Sequence, residues 1–176
     1  MESLKNIVDG DTLYEFYFDG SGRRFDVGYI LSSDEEWALI ELISPEGGHE
    51  GYRLVFADEI VMLQYGTQYL EKLADLMAAR HTERKPLEFS GAGLFGSVMD
   101  FVMTNRFVCT VELAGERAFT EHGFIEKIGI DTFRMELIDE YGKPDGHMVA
   151  ELADVSAVTF NSSEERNLAL LNLFRK

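Results

Sequence analysis

The stretch Gly28-Tyr-Ile-Leu-Ser-Ser-Asp-Glu-Glu-Trp-Ala-Leu-Ile-Glu-Leu-Ile43 recurs 95 residues later as Gly123-Phe-Ile-Glu-Lys-Ile-Gly-Ile-Asp-Thr-Phe-Arg-Met-Glu-Leu-Ile138. Gly28 falls on Gly123, Ile30 on Ile125, and Glu41-Leu-Ile43 on Glu136-Leu-Ile138, with no gap. The same shift pairs Gly20 with Gly115, Gly47 with Gly142, Gly51 with Gly146, Leu73-Ala74 with Leu168-Ala169, and Leu76 with Leu171. The chain is therefore read as two copies of one unit. A side chain present in one copy only does not belong to a task the copies share.

Within one copy the pattern is that of short strands. Leu13-Tyr-Glu-Phe-Tyr-Phe18 is aromatic-rich and runs into the turn composition Asp19-Gly-Ser-Gly22. Phe25-Asp-Val-Gly-Tyr-Ile-Leu-Ser32 alternates, placing Phe25, Val27, Tyr29 and Leu31 on one face. Gly28 inside it predicts a bend or a close backbone approach. After the polar link Ser33-Asp-Glu-Glu36 comes Trp37-Ala-Leu-Ile-Glu-Leu-Ile43, with Ala38, Ile40 and Leu42 inward and Glu41 outward. Its copy turns Phe133, Met135 and Leu137 inward and Glu136 outward. The glycine-rich loops Pro45-Glu-Gly-Gly-His-Glu-Gly51 and Glu140-Tyr-Gly-Lys-Pro-Asp-Gly146 predict hairpins with positive φ at the shared glycines. Tyr52-Arg-Leu-Val-Phe56 and Ile60-Val-Met-Leu-Gln-Tyr65 complete five strands, parted by one tight helical turn.

A helix closes each copy. Tyr69, Leu70, Leu73, Leu76 and Met77 follow one helical face. Ser162-Ser-Glu-Glu165 carries a capping-box pattern, and Thr67 stands at the equivalent place without the acidic partner three residues on. The terminal helix is apolar on more than one side, through Leu168, Leu170, Leu171, Leu173 and Phe174. It is expected to pack between the copies or to form an oligomer seam.

Five short strands bury a face by curling, which also removes exposed edges. The fold class expected is mainly β with flanking helices: two tandem five-stranded small barrels, each followed by an α-helix. The boundaries are 1–80 for the first barrel and helix, 81–105 for a linker holding a short helix, and 106–176 for the second barrel and C-terminal helix. The run Gly28-Tyr-Ile30, the strand ending Glu41-Leu-Ile43, the glycine hairpin and the step into Ile60 resemble the SH3-like small barrels. That group includes the Sm-like RNA-binding proteins and the PRC-barrel domains. The likeness covers residues 13–66 and 107–161 and implies the barrel fold; RNA binding is one function it would bring.

Composition bounds the function. The chain of 176 residues carries 16 basic and 32 acidic side chains, a net charge of −16, and both copies are acidic. Such a field repels phosphate backbones and anionic lipid, and favours solubility or a basic partner. Sm-like proteins place an Arg-Gly near the turn from fourth to fifth strand. Here those turns read Phe56-Ala-Asp-Glu59 and Glu151-Leu-Ala-Asp154, acid where a cation is needed, so nucleic acid is disfavoured. No apolar run is long enough to cross a membrane, and no signal core opens the chain. A single cysteine, Cys109, fits a reducing, cytoplasmic setting and reads as a buried, inert thiol on a first strand.

Catalytic signals are sparse. His49, His81, His122 and His147 do not recur between copies, and no zinc spacing is present. Asp139, Asp145 and His147 are the best metal set, which would serve an enzyme acting between the barrels. Asp34-Glu-Glu36 reads as a solvated turn rather than a calcium ladder. Ser90-Gly-Ala-Gly-Leu-Phe-Gly96 lacks the Lys-Ser/Thr ending of a phosphate loop. Glu41 and Glu136, the shared acids, are expected at solvent or an interface, paired with Arg53 or Arg134. The reading is a non-enzymatic cytoplasmic interaction or regulatory protein with no cofactor, binding a protein partner or itself. Leu170, Leu173, Phe174, Phe95 and Phe101 are the candidate contact residues.

Overall fold

A computed structural model describes residues 10–18, 24–89, 93–114 and 119–175. The turn at 19–22, the Gly20/Gly115 pair and the linker residues 90–92 lie outside them. The chain divides into two compact units, Met1–Leu94 and Phe95–Lys176. Among the described residues ten strands, in antiparallel ladders, and three α-helices make a mainly β protein.

The first unit holds β1 (Leu13–Tyr17), β2 (Asp26–Ser33), β3 (Trp37–Ile43), β4 (His49–Phe56), β5 (Met62–Gln64) and α1 (Gln68–Ala79). The second holds α2 (Leu94–Thr104, entering from the last residue of the first unit), β6 (Val108–Leu113), β7 (Phe119–Ile128), β8 (Thr132–Ile138), β9 (Pro144–Glu151), β10 (Val155–Phe160) and α3 (Ser163–Leu173). Strand order is β5-β1-β2-β3-β4 in the first and β10-β6-β7-β8-β9 in the second, the same path twice. A single 3-10 turn, Ala57–Glu59 or Leu152–Asp154, separates the last two strands of each unit, as expected. Among the described residues no ladder joins β4 to β5 or β9 to β10, so the pairing closes neither set into a ring.

Register repeats as faithfully as sequence. Leu13 faces Tyr29 where Val108 faces Phe124, and Glu15 faces Gln64 where Thr110 faces Thr159. Each second strand carries an extra residue, Leu31 or Glu126, between successive partners. Simple alternation does not hold in β2: Val27 and Ile30, which point to opposite faces ahead of the bulge, are both buried, and Leu31 within it is half-exposed.

The shared glycines are explained by contact. A Cβ on Gly28 would stand 2.1 Å from the carbonyl oxygen of Glu41, and one on Gly123 2.0 Å from that of Glu136. Gly47 and Gly142 have φ of 81° and 75°, Gly51 and Gly146 of 83° and 85°. Each hairpin turn also presses on its helix: a Cβ on Gly47 would meet Leu76 Cβ at 2.9 Å, and one on Gly142 would meet Leu171 Cβ at 2.6 Å. The recurring Leu76 and Leu171 thus mark where helix backbone meets hairpin.

The first core sets Val27 and Ile43 against Leu70, Leu73 and Met77 of α1. The second sets Val108 and Ile138 against Leu168 of α3. Burying each such side chain contributes ~1.5–3 kcal/mol. β3 is buried on both faces, which corrects the expected orientation of Glu41: it has no exposure, whereas Leu42 is half-buried.

Candidate interaction surface

α3 starts on a full capping box. Ser162 Oγ accepts from Glu164 N–H, and the Glu165 carboxylate accepts from Ser162 N–H at 2.9 Å. The inward row is Glu165, Leu168 and Asn172, and Asn172 Nδ2 donates to the Gly142 carbonyl at 3.0 Å. That row consumes one stripe of the helix. Leu170, Leu173 and Phe174 remain outside it, with 53%, 70% and 80% of their surface exposed. Spacing of three and four residues puts Arg166, Leu170 and Leu173 on one side of the helix. They flank a groove of about 290 Å³ whose other wall includes Arg106 and Phe107.

Two other sequence candidates behave differently. Phe95 and Phe101 are half-buried in α2, and the Phe101 ring packs on Phe107 and Phe160 at 5.8 and 6.1 Å. Phe101 is thus part of an aromatic cluster of the second unit, while the open band belongs to α3.

Among the described residues three carboxylates are buried, Glu15, Glu41 and Glu165, and the sequence alone points to a structural role only for Glu165, in its capping box. Glu41 accepts from Lys85 N–H at 2.5 Å and Arg84 Nε at 3.2 Å, with His49 Nε2 at 3.7 Å. The Arg84 guanidinium lies 3.8 Å above the Tyr29 ring and donates to the Gly10 carbonyl at 2.7 Å. Tyr52 Oη donates to the Lys85 carbonyl at 2.6 Å, and Thr82 Oγ1 to that of Gly47 at 2.6 Å. Residues 82–85 are therefore strapped across β3 and β4 through Glu41. Burial, and then the Glu41 charge, pushes the Tyr52 hydroxyl up to about 12. The partners expected for the shared acids pair elsewhere: Arg53 with Asp26 at 3.9 Å and Arg134 with Glu126 at 2.6 Å. Glu136, the counterpart of Glu41, is half-buried.

Glu15 is buried on β1 and accepts from Tyr17 Oη at 2.7 Å and Thr67 Oγ1 at 2.5 Å. The Glu15 hydrogen bond, and then burial, raises the Tyr17 hydroxyl to about 12. In the second copy Thr110 Oγ1 donates to Glu165 Oε1 at 2.5 Å. With the one hydroxyl proton so committed, His122 Nδ1, 2.9 Å from Thr110 Oγ1, acts as donor.

The remaining candidates are absorbed by local structure. Asp139 Oδ1 accepts from the N–H groups of Tyr141 and Lys143, and His147 lies 3.2 Å from Glu126. Asp139, Asp145 and His147 do not converge, and no group able to hold a metal occurs among the described residues. Asp34 accepts from Glu36, Trp37 and Leu94 N–H, and Glu35 and Glu36 are exposed as expected of a solvated turn. Cys109 has no exposure, and burial drives its thiol far above the usual range. No described helix is long and apolar enough to cross a membrane. Compared with known proteins, the chain matches no family model, no curated protein and no solved structure.

Proposed function

We propose that this chain is a non-enzymatic, cytoplasmic interaction or regulatory protein, built from two tandem SH3-like small barrels. It docks a protein partner, or a second copy of itself, through the apolar band of α3. The band of Leu170, Leu173 and Phe174 carries the reading, because bulky apolar side chains that cluster in solvent mark association surfaces. The barrel reading is supported by the repeated strand order, the recurring bulges at Leu31 and Glu126, and the 3-10 turn before each last strand. Acid at both of those turns runs against an RNA-binding role, since each phosphate contact calls for a neutralising cation. A fold of this kind assigns no activity by itself, so the surface carries the function.

The test is native mass. The protein isolated at its natural abundance is expected to run as a complex, and the Leu170→Asp/Leu173→Asp pair to run as a folded monomer. A wild-type protein that is monomeric and unaccompanied under the same isolation contradicts the reading.

A further inference from the structure

We propose that the groove beside α3 takes an acidic peptide segment, one that presents bulky apolar side chains flanked by carboxylates. The inference rests on the reading of α3 as a docking surface and gives its partner a chemistry. Its walls are Phe107, Ala169, Leu170 and Leu173, an apolar floor, and its two exposed charged side chains are Arg106 and Arg166. Glu165 also borders the groove, but its carboxylate is buried and accepts from Thr110 and Ser162. The accessible charge at the rim is therefore cationic, on a chain whose net charge is −16. Screening confines electrostatics to about 8 Å at physiological salt, so the nearest guanidiniums set the preference and distant acids do not.

Both guanidiniums are held by the second unit. Arg166 Nη1 donates to the Asn161 carbonyl, and Arg106 lies 5.5 Å over the Phe124 ring. Planar guanidiniums held this way match carboxylates in a fixed geometry. Arg106 also keeps a φ of 51°, a backbone region that glycine enters freely and a branched-off side chain resists. At about 290 Å³ the groove is at the small end of ligand sites, and the apolar band continues from Leu173 beyond it onto Phe174. A small enclosed ligand would leave that continuation bare; a peptide covers it.

The experiment is selection of a displayed library of random dodecapeptides against the full-length chain, followed by affinities of the enriched peptides. Enriched sequences are expected to be net acidic with a spaced pair of Leu, Phe or Met. Their binding is expected to fall about tenfold or more with Arg106→Glu/Arg166→Glu. The same loss is expected with Leu173→Asp, each variant keeping the wild-type circular dichroism. Peptides selected by the charge-reversed variant are expected to be basic. Enrichment of neutral or basic peptides by the wild type, or none at all, overturns the inference. So does a concentration-dependent dimer that the charge reversal leaves intact; the docking reading would survive that result.

Discussion

Thr67 Oγ1 donates to Glu15 Oε1 at 2.5 Å, tying the N-cap of α1 to β1. In the second copy the carboxylate has changed sides: Thr110 on β6 donates to Glu165 of α3. Strand and helix start are joined in both units, with the acid on the strand in one and on the helix in the other. Glu15→Ala takes the acceptor from the Thr67 hydroxyl and leaves Tyr17 Oη with the longer contact to Gln64 Oε1 at 3.4 Å, and is expected to cost ~1–3 kcal/mol. A double-mutant cycle of Glu15→Ala with Thr67→Ala, read by urea unfolding, should show coupling of ~1 kcal/mol. Additive effects would deny the link.

Gly28→Ala and Gly123→Ala each thrust a methyl group into a neighbouring carbonyl oxygen. Each is expected to destabilise by ~1–3 kcal/mol, as overpacking does. Gly96→Ala in α2, where a Cβ meets nothing within 4 Å, should instead stabilise by ~0.5–1 kcal/mol. Denaturant midpoints of the three variants check the pattern.

Glu41 holds the strap at residues 82–85. Removing a buried acceptor from a guanidinium and a backbone N–H is expected to cost ~3 kcal/mol. Glu41→Ala should also open the strap, so trypsin is expected to cut after Arg84 faster than in the wild type. Glu136→Ala, at a half-buried position, is expected to cost less.

Alkali should weaken the fold through Tyr17 and Tyr52. Both hydroxyls are raised to about 12 from an ordinary 10.0, so the folded state holds these protons more tightly. Their contribution is fully present below pH 10 and is lost as pH rises towards 12. The urea midpoint is expected to fall across that window, and Tyr17→Phe/Tyr52→Phe to flatten the fall.

The repeat was legible because it is written in glycines and backbone register. Gly28, Gly47 and Gly51 recur where a Cβ clashes or φ is positive, constraints that any copy of the fold must meet. The capping box at Ser162 and the face of α1 were also readable, since both are short-range patterns. The bulge at Leu31 was not, because an inserted residue leaves no mark in composition; it shifts the pairing of Ser32 and Ser33 by one residue. Glu41 was misplaced because its partners, Arg84 and Lys85, lie far along the chain in a segment without periodicity. The α3 band was visible as excess leucine, with Arg166 one turn before Leu170 on the same helix, whereas Arg106 joins it only through the fold.

The most direct test of the docking claim is a photo-reactive amino acid placed at Leu173 in the living source cell. A control carries it at Ile130, which is 95% exposed and far along the chain from α3. The account expects a discrete protein adduct on irradiation from position 173 and none from position 130. No adduct from 173, or the same adducts from both, would contradict it.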